Sequence, residues 1–122
     1  MLKLLMNQFR KLEVWKRSRI FCKQIYIITE HFPNTQRFGL ISQMQRAAIS
    51  IPSNIAEGTG RKSKSEFLYF LNISNGSAFE LETQINISKD LEYISDEKEK
   101  ELIEDLNIIQ KMLYKLIQSL NN

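Results

Sequence analysis

The stretch opening Ser63-Lys64-Ser65-Glu66 decides the fold. Beyond it, apolar and small residues recur as Phe67, Leu71, Ser74, Ala78, Leu81 and Ile85, a 4-3-4-3-4 spacing. That spacing keeps one face of an α-helix turned inward for about five turns. Ser63 and Glu66 have the spacing of a capping box: the Ser63 hydroxyl can accept from the Glu66 amide, and the Glu66 carboxylate can reach back. Ser74, Gly76, Ser77 and Ala78 are small, which predicts close approach of a neighbouring helix.

Upstream, Leu40, Met44, Ala47, Ala48, Ile51 and Ile55 give a second helix. Pro52 lies inside it and removes one backbone donor, so the sequence predicts a helix kinked at Pro52, or two short helices in line. Gly58 reads as its C-terminal stop, and Asn34 and Thr35 as candidate caps before it. Further upstream, Val14, Ser18, Phe21, Ile25, Ile28 and Phe32 form another 4-3-4-3-4 stripe, ended by Pro33. Downstream, Leu102, Leu106, Ile109, Leu113, Leu116 and Leu120 repeat the pattern. There Asp96, Glu97 and Glu99 sit near the helix start, with Lys111 and Lys115 towards its end, a distribution that suits the helix dipole. No segment shows sustained strand alternation. Four helices joined by short loops predict an all-α, antiparallel up-and-down four-helix bundle spanning residues 1–122 as one domain, with residues 1–7 a loosely ordered tail.

The composition suits that reading and excludes several classes. The 122 residues are 43% hydrophobic and 25% charged, too apolar for a wholly disordered chain. One cysteine, Cys22, excludes an intramolecular disulfide and any cysteine-based zinc cluster, and one histidine, His31, excludes sites needing two imidazoles from one chain. No apolar run approaches the roughly 20 residues of a membrane helix, and Met1 to Met6 is too short for a secretory core. A cytoplasmic protein without membrane association is expected.

Charge is unevenly distributed. Residues 1–64 carry twelve Lys and Arg against three Glu, a balance of +9, whereas residues 65–122 stand at −6. Two readings are open: a face turned to nucleic acid, or two halves that attract one another through surface ion pairs. On the first helix, Lys16, Arg19 and Lys23 lie opposite the core stripe, with Arg17 beside them. This ridge suits a phosphate backbone and carries no base-reading code. Arg61 and Lys62, with Lys64, form a basic loop at a helix N-terminus, where free amides also attract anions. The apolar residues exceed one core: Leu12, Trp15, Cys22, Tyr26, Ile20 and Ile27 on the first helix, and Ile103, Ile108, Met112 and Ile117 on the last, predict a subunit interface.

No catalytic, metal or cofactor constellation emerges, and no enzyme activity is expected. His31 sits by a Phe-Pro turn. The positions before it are Gln24, Ile25 and Tyr26, so a helical ribonuclease arrangement of arginine and histidine is disfavoured. Gly58-Thr59-Gly60-Arg61-Lys62-Ser63 fails as a phosphate-binding loop, because Arg61 stands where glycine is needed and no strand precedes it.

Phe38-Gly39-Leu40, Gln43, Arg46-Ala47-Ala48 and Ser50-Ile51-Pro52-Ser53-Asn54-Ile55-Ala56-Glu57-Gly58 form a distinctive run. With Leu12-Glu13-Val14-Trp15, Phe32-Pro33 and Ser77 to Gln84, it resembles the four-helix bundle family encoded in intervening sequences of bacterial 23S rRNA genes, the S23 ribosomal protein family. The likeness runs from about Phe9 to Leu120. It implies a helical bundle that assembles as a homopentamer and has no enzymatic activity. A related branch, the accessory variability determinants of diversity-generating retroelements, binds nucleic acid and a reverse transcriptase. The partners expected are therefore RNA or DNA, with a protein such as a reverse transcriptase as the alternative. Arg46, Asn54, Glu57 and Gly58 match the family's motif on the second helix. Arg46 joins the nucleic-acid candidates. For Asn54 and Glu57 a structural role is expected, satisfying backbone groups freed near Pro52 or bridging to a neighbouring helix.

Overall fold

The computed structural model of the chain describes residues 8–122. The expectation of a loose tail at residues 1–7 lies outside them. Four α-helices carry the architecture: α1 (Glu13–Thr29), α2 (Ser42–Thr59), α3 (Lys64–Asp90) and α4 (Asp96–Asn121). No strand occurs among the described residues. The helices form a bundle in which α2 packs on α1 and α3, and α4 packs on α3 and α1.

The four stripes meet in one core. Phe21, Ile25, Met44, Ile51, Ile55, Phe67, Leu71, Leu81, Ile85, Leu102, Leu106, Ile109 and Leu113 are all buried there. Burying each such side chain contributes about 1.5–3 kcal/mol before chain entropy is set against it. Of the stripe positions, Ile28, Leu40 and Leu116 are only half-buried and pack on the margin of this core.

Polar bonds fix the register. Thr29 Oγ1 accepts from Gln45 Nε2 at 3.1 Å, which sets the end of α1 beside the start of α2. Ser74 Oγ donates to the Ile51 carbonyl at 2.7 Å, Ser77 Oγ to Ser50 Oγ at 2.8 Å, and Ser88 Oγ to Met44 Sδ at 3.3 Å. Residue numbers fall along α2 as they rise along α3, so these two helices run in opposite directions. Gln110 Nε2 to Glu82 at 2.8 Å and Asn86 Nδ2 to Glu99 at 2.8 Å show the same for α3 and α4.

Several local expectations need correction. Of the two arrangements expected around Pro52, the single helix is the one found, and Pro52 is buried within it. Asn34 and Thr35 do not cap α2. They form a 3₁₀ turn (Asn34–Gln36), and a π-turn (Arg37–Ile41) leads into α2, whose first turn has no side-chain cap. Gly58 does not stop α2. The helix runs on to Thr59, with Gly60 as its cap. A Cβ at Gly58 would lie 2.7 Å from Phe67 Cδ1 and 3.1 Å from Phe70 Cβ, so its role is to let α2 and α3 close on one another. Gly76 plays no part in helix approach: a Cβ there would meet nothing within 4 Å. Ser63 accepts from the Glu66 amide at 3.2 Å, but no return bond from the Glu66 side chain forms. Ser95 caps α4 in the same way, through the Lys98 amide at 3.0 Å.

The apolar surplus is largely absorbed. Leu12, Trp15, Cys22, Ile103, Met112 and Ile117 pack half-buried against the core. Ile20, Ile27 and Ile108 stay exposed. No helix is long and apolar enough to cross a membrane, among the described residues.

Candidate nucleic-acid interface

The basic ridge follows from helical phase. With Val14, Ser18, Phe21 and Ile25 buried, the 100° step turns Lys16, Arg17, Arg19 and Lys23 to solvent, and all four are exposed. Lys16, Arg19 and Lys23 line one shallow depression floored by Ile20 and Cys22. The Arg19 guanidinium lies 5.0 Å from the Trp15 ring centroid, and Trp15 packs edge-on to Phe9 at 5.1 Å. This cation–π stack limits where the Arg19 side chain can swing. Lys16 Nζ stands 3.4 Å from Glu13 Oε1, an exposed pair worth about 0–1 kcal/mol. Arg17 is absent from this depression and lines a second groove, between α1 and α4, together with Lys16, Ile20 and Asp105. Burial pushes the Cys22 thiol above its usual range.

The second group divides. Arg61 is engaged within the chain: Arg61 Nη2 bonds Glu57 Oε2 at 2.7 Å, and the guanidinium lies 4.6 Å from the Phe70 ring centroid. It clasps the α2–α3 corner. Lys62 and Lys64 are exposed and make no ion pair among the described residues. Glu57 therefore serves Arg61 and does not bridge to a backbone group near Pro52. Asn54 Nδ2 bonds both the carbonyl and the hydroxyl of Ser50 at 2.9 Å. The carbonyl that Pro52 deprives of its donor belongs to Ala48, so Asn54 serves the Ser50–Ser77 cross-helix contact instead. Arg46 is exposed on α2, in a cleft with Gln43, Ser50, Ser77 and Glu80, apart from the α1 ridge.

Four ion pairs occur among the described residues: Lys16–Glu13, Arg61–Glu57, Lys89–Asp96 and Lys98–Glu101. Each lies within one half of the chain. No cation of residues 8–64 pairs with a carboxylate of residues 65–122, so the reading of two halves held together by ion pairs does not describe this bundle.

The register also sorts charge by end. The start of α1, the α2–α3 corner and the last turns of α4 share one end, which gathers Arg10, Lys11, Lys16, Lys62, Lys64 and Lys115. The opposite end holds Asp90, Glu92, Asp96, Glu97 and Glu99 among Lys89, Lys98 and Lys100, a smaller acidic excess, and the basic end includes Glu13, Glu57 and Glu66. Reading α1 alone misses Arg10 and Lys11. Both are exposed in the 3₁₀ turn Phe9–Lys11 just before the helix, and their signal was their adjacency to the ridge. Among the described residues, no group of three His, Cys, Asp or Glu is placed to hold a metal ion, and His31 is exposed beyond the end of α1.

The model of the 23S rRNA-intervening sequence protein family matches residues 10–115. A crystal structure of a protein of unknown function from the S23 ribosomal protein family, from Bacteroides thetaiotaomicron, superposes with a TM-score of 0.80 at 29% identity, covering 86% of this chain and 95% of that one. No curated protein matches. With the family model spanning nearly all of the four helices, the chain belongs to the 23S rRNA-intervening sequence protein family.

Proposed function

We propose that this protein acts without catalysis, as an assembly of copies that binds structured RNA through the exposed basic face of α1 and the basic end of the bundle. One observation carries the reading: the cations of the first half find no carboxylate partner across the bundle, and three of them line a single depression on α1. Like charges held together cost free energy unless a counter-charge arrives, and a phosphate backbone supplies one. Lys16, Arg19 and Lys23 are the principal contacts, Lys62 and Lys64 extend them, and Arg17 and Arg46 stand aside. The family's link to a 23S rRNA intervening sequence favours RNA as the polyanion.

The test is a binding titration with folded rRNA fragments over a range of salt. The expected slope of log affinity against log salt is about −0.7 to −0.9 per phosphate contacted, and the Lys16→Glu, Arg19→Glu, Lys23→Glu triple variant loses about two to three contacts' worth of slope. Absence of binding at low salt overturns the reading. Capture of a nuclease-resistant acidic protein by the same face would replace RNA with a protein partner, such as a reverse transcriptase.

A further inference from the structure

The α2–α3 corner holds more than lysines. Among the described residues, the exposed aromatic side chains are Phe38, Tyr69, Phe79 and Tyr114. Of these, Tyr69 alone packs on another ring: it meets Phe70 edge-on, with centroids 5.1 Å apart and planes at 86°. Phe70 is itself held in place. Its Cβ lies 3.1 Å from where a Cβ on Gly58 would stand, and the Arg61 guanidinium is 4.6 Å from its ring centroid. Arg61 in turn bonds Glu57 at 2.7 Å. Glu57, Arg61 and Phe70 thus brace the Tyr69 ring from behind, while 62% of Tyr69 stays exposed. Tyr69 stands ~7.5 Å along α3 from Lys64, and helical side chains lean towards the N-terminus, so the ring leans towards the loop that carries Lys62. Lys62 and Lys64 are exposed and make no ion pair among the described residues. Glu66, one turn before Tyr69, is the carboxylate on that face.

We propose that Tyr69 is a platform on which an unpaired base of the bound RNA stacks, with Lys62 and Lys64 taking phosphates beside it. Every base has a π-face, so a ring held in place accepts any base whatever its identity. Loops and bulges offer such bases; a continuous duplex, whose bases are stacked on one another, does not. The lysines and the α1 ridge neutralise a backbone that duplex and loop share, and Tyr69 tells the two apart. A ring already braced loses little freedom when a base arrives on it. The inference rests on the reading of this protein as an RNA binder, and names the state of the RNA at the basic end.

The test titrates the full chain into two RNAs: a hairpin with 2-aminopurine in its loop, and a long perfect duplex. Binding of the wild-type chain is expected to quench the 2-aminopurine emission as the base stacks. Tyr69→Ala removes the quenching and weakens hairpin binding about 5- to 150-fold, the range for loss of one stacked base. Its salt slope stays at the wild-type value, because no charge is removed, and so does its affinity for the duplex. Tyr69→Trp keeps the hairpin affinity. Since the side chain is exposed, thermal unfolding of both variants followed by circular dichroism stays near wild type. Hairpin affinity unchanged in Tyr69→Ala overturns the inference, and so does an equal loss on hairpin and duplex. Failure of the underlying reading looks different. A wild-type chain that binds neither RNA overturns both, whereas a Lys16→Glu, Arg19→Glu, Lys23→Glu variant that binds as wild type removes the α1 contacts and leaves a hairpin-specific loss in Tyr69→Ala standing.

Discussion

At the scale of single residues, two glycines in adjacent helices have opposite meanings. Gly58 is buried against the Phe67 ring, and Gly76 faces open space. Gly58→Ala is expected to destabilise the fold by about 1–2 kcal/mol, because Phe67 is fully buried and has nowhere to move. Gly76→Ala, measured in dilute solution, is expected to stabilise it by up to ~1 kcal/mol through helix propensity alone. Urea midpoints for the two variants check both signs. The sequence could not separate these glycines. Gly58 follows the last position of a periodic apolar stripe and reads as a stop, but what decides its role is the Phe67–Phe70 surface of a helix that follows it. Arg61 is a similar case. Its positive charge was legible, whereas its engagement by Glu57 and Phe70 depends on how tightly the α2–α3 corner turns.

At the scale of elements, periodicity carried most of the information. All six positions of the Phe67–Ile85 stripe are buried, and five of the six from Leu102 to Leu120, because a 3.6-residue period admits one continuous inward face. Boundaries were legible where a side chain makes the cap. Ser63 and Ser95 each accept the amide three residues on. Ser95→Ala is expected to cost about 1 kcal/mol. Ser119→Ala serves as the control: the Ser119 hydroxyl only bonds back to the Leu116 carbonyl in the exposed last turns, so thermal unfolding should show little change. The start of α2 was not legible. Its entry is a π-turn containing Gly39 in a non-helical conformation, and no propensity rule encodes such a turn. Arg46 and Glu80 each look like an ordinary surface charge in the sequence, and only the packing of α2 on α3 brings them into one cleft.

At the scale of the whole molecule, cohesion and charge are separate. The core is apolar, and the four ion pairs are exposed or half-exposed and join neighbours within one half of the chain. Raising salt from about 50 to 500 mM, which shortens the screening length roughly threefold, is therefore expected to leave the denaturant midpoint nearly unchanged while RNA affinity falls steeply. Parallel unfolding and binding titrations check this; a midpoint that falls along with affinity would contradict it. The +9 and −6 of the two halves were readable from composition, but that one end of the rod carries a net positive excess and the other a smaller acidic one was not, since that depends on the order in which four helices return. Such a rod carries a permanent electric moment along its length. In the field of a polyanion it turns before it touches, arriving cationic tip first with its carboxylates trailing, so that encounter frequency, more than residence time, is what ionic strength governs.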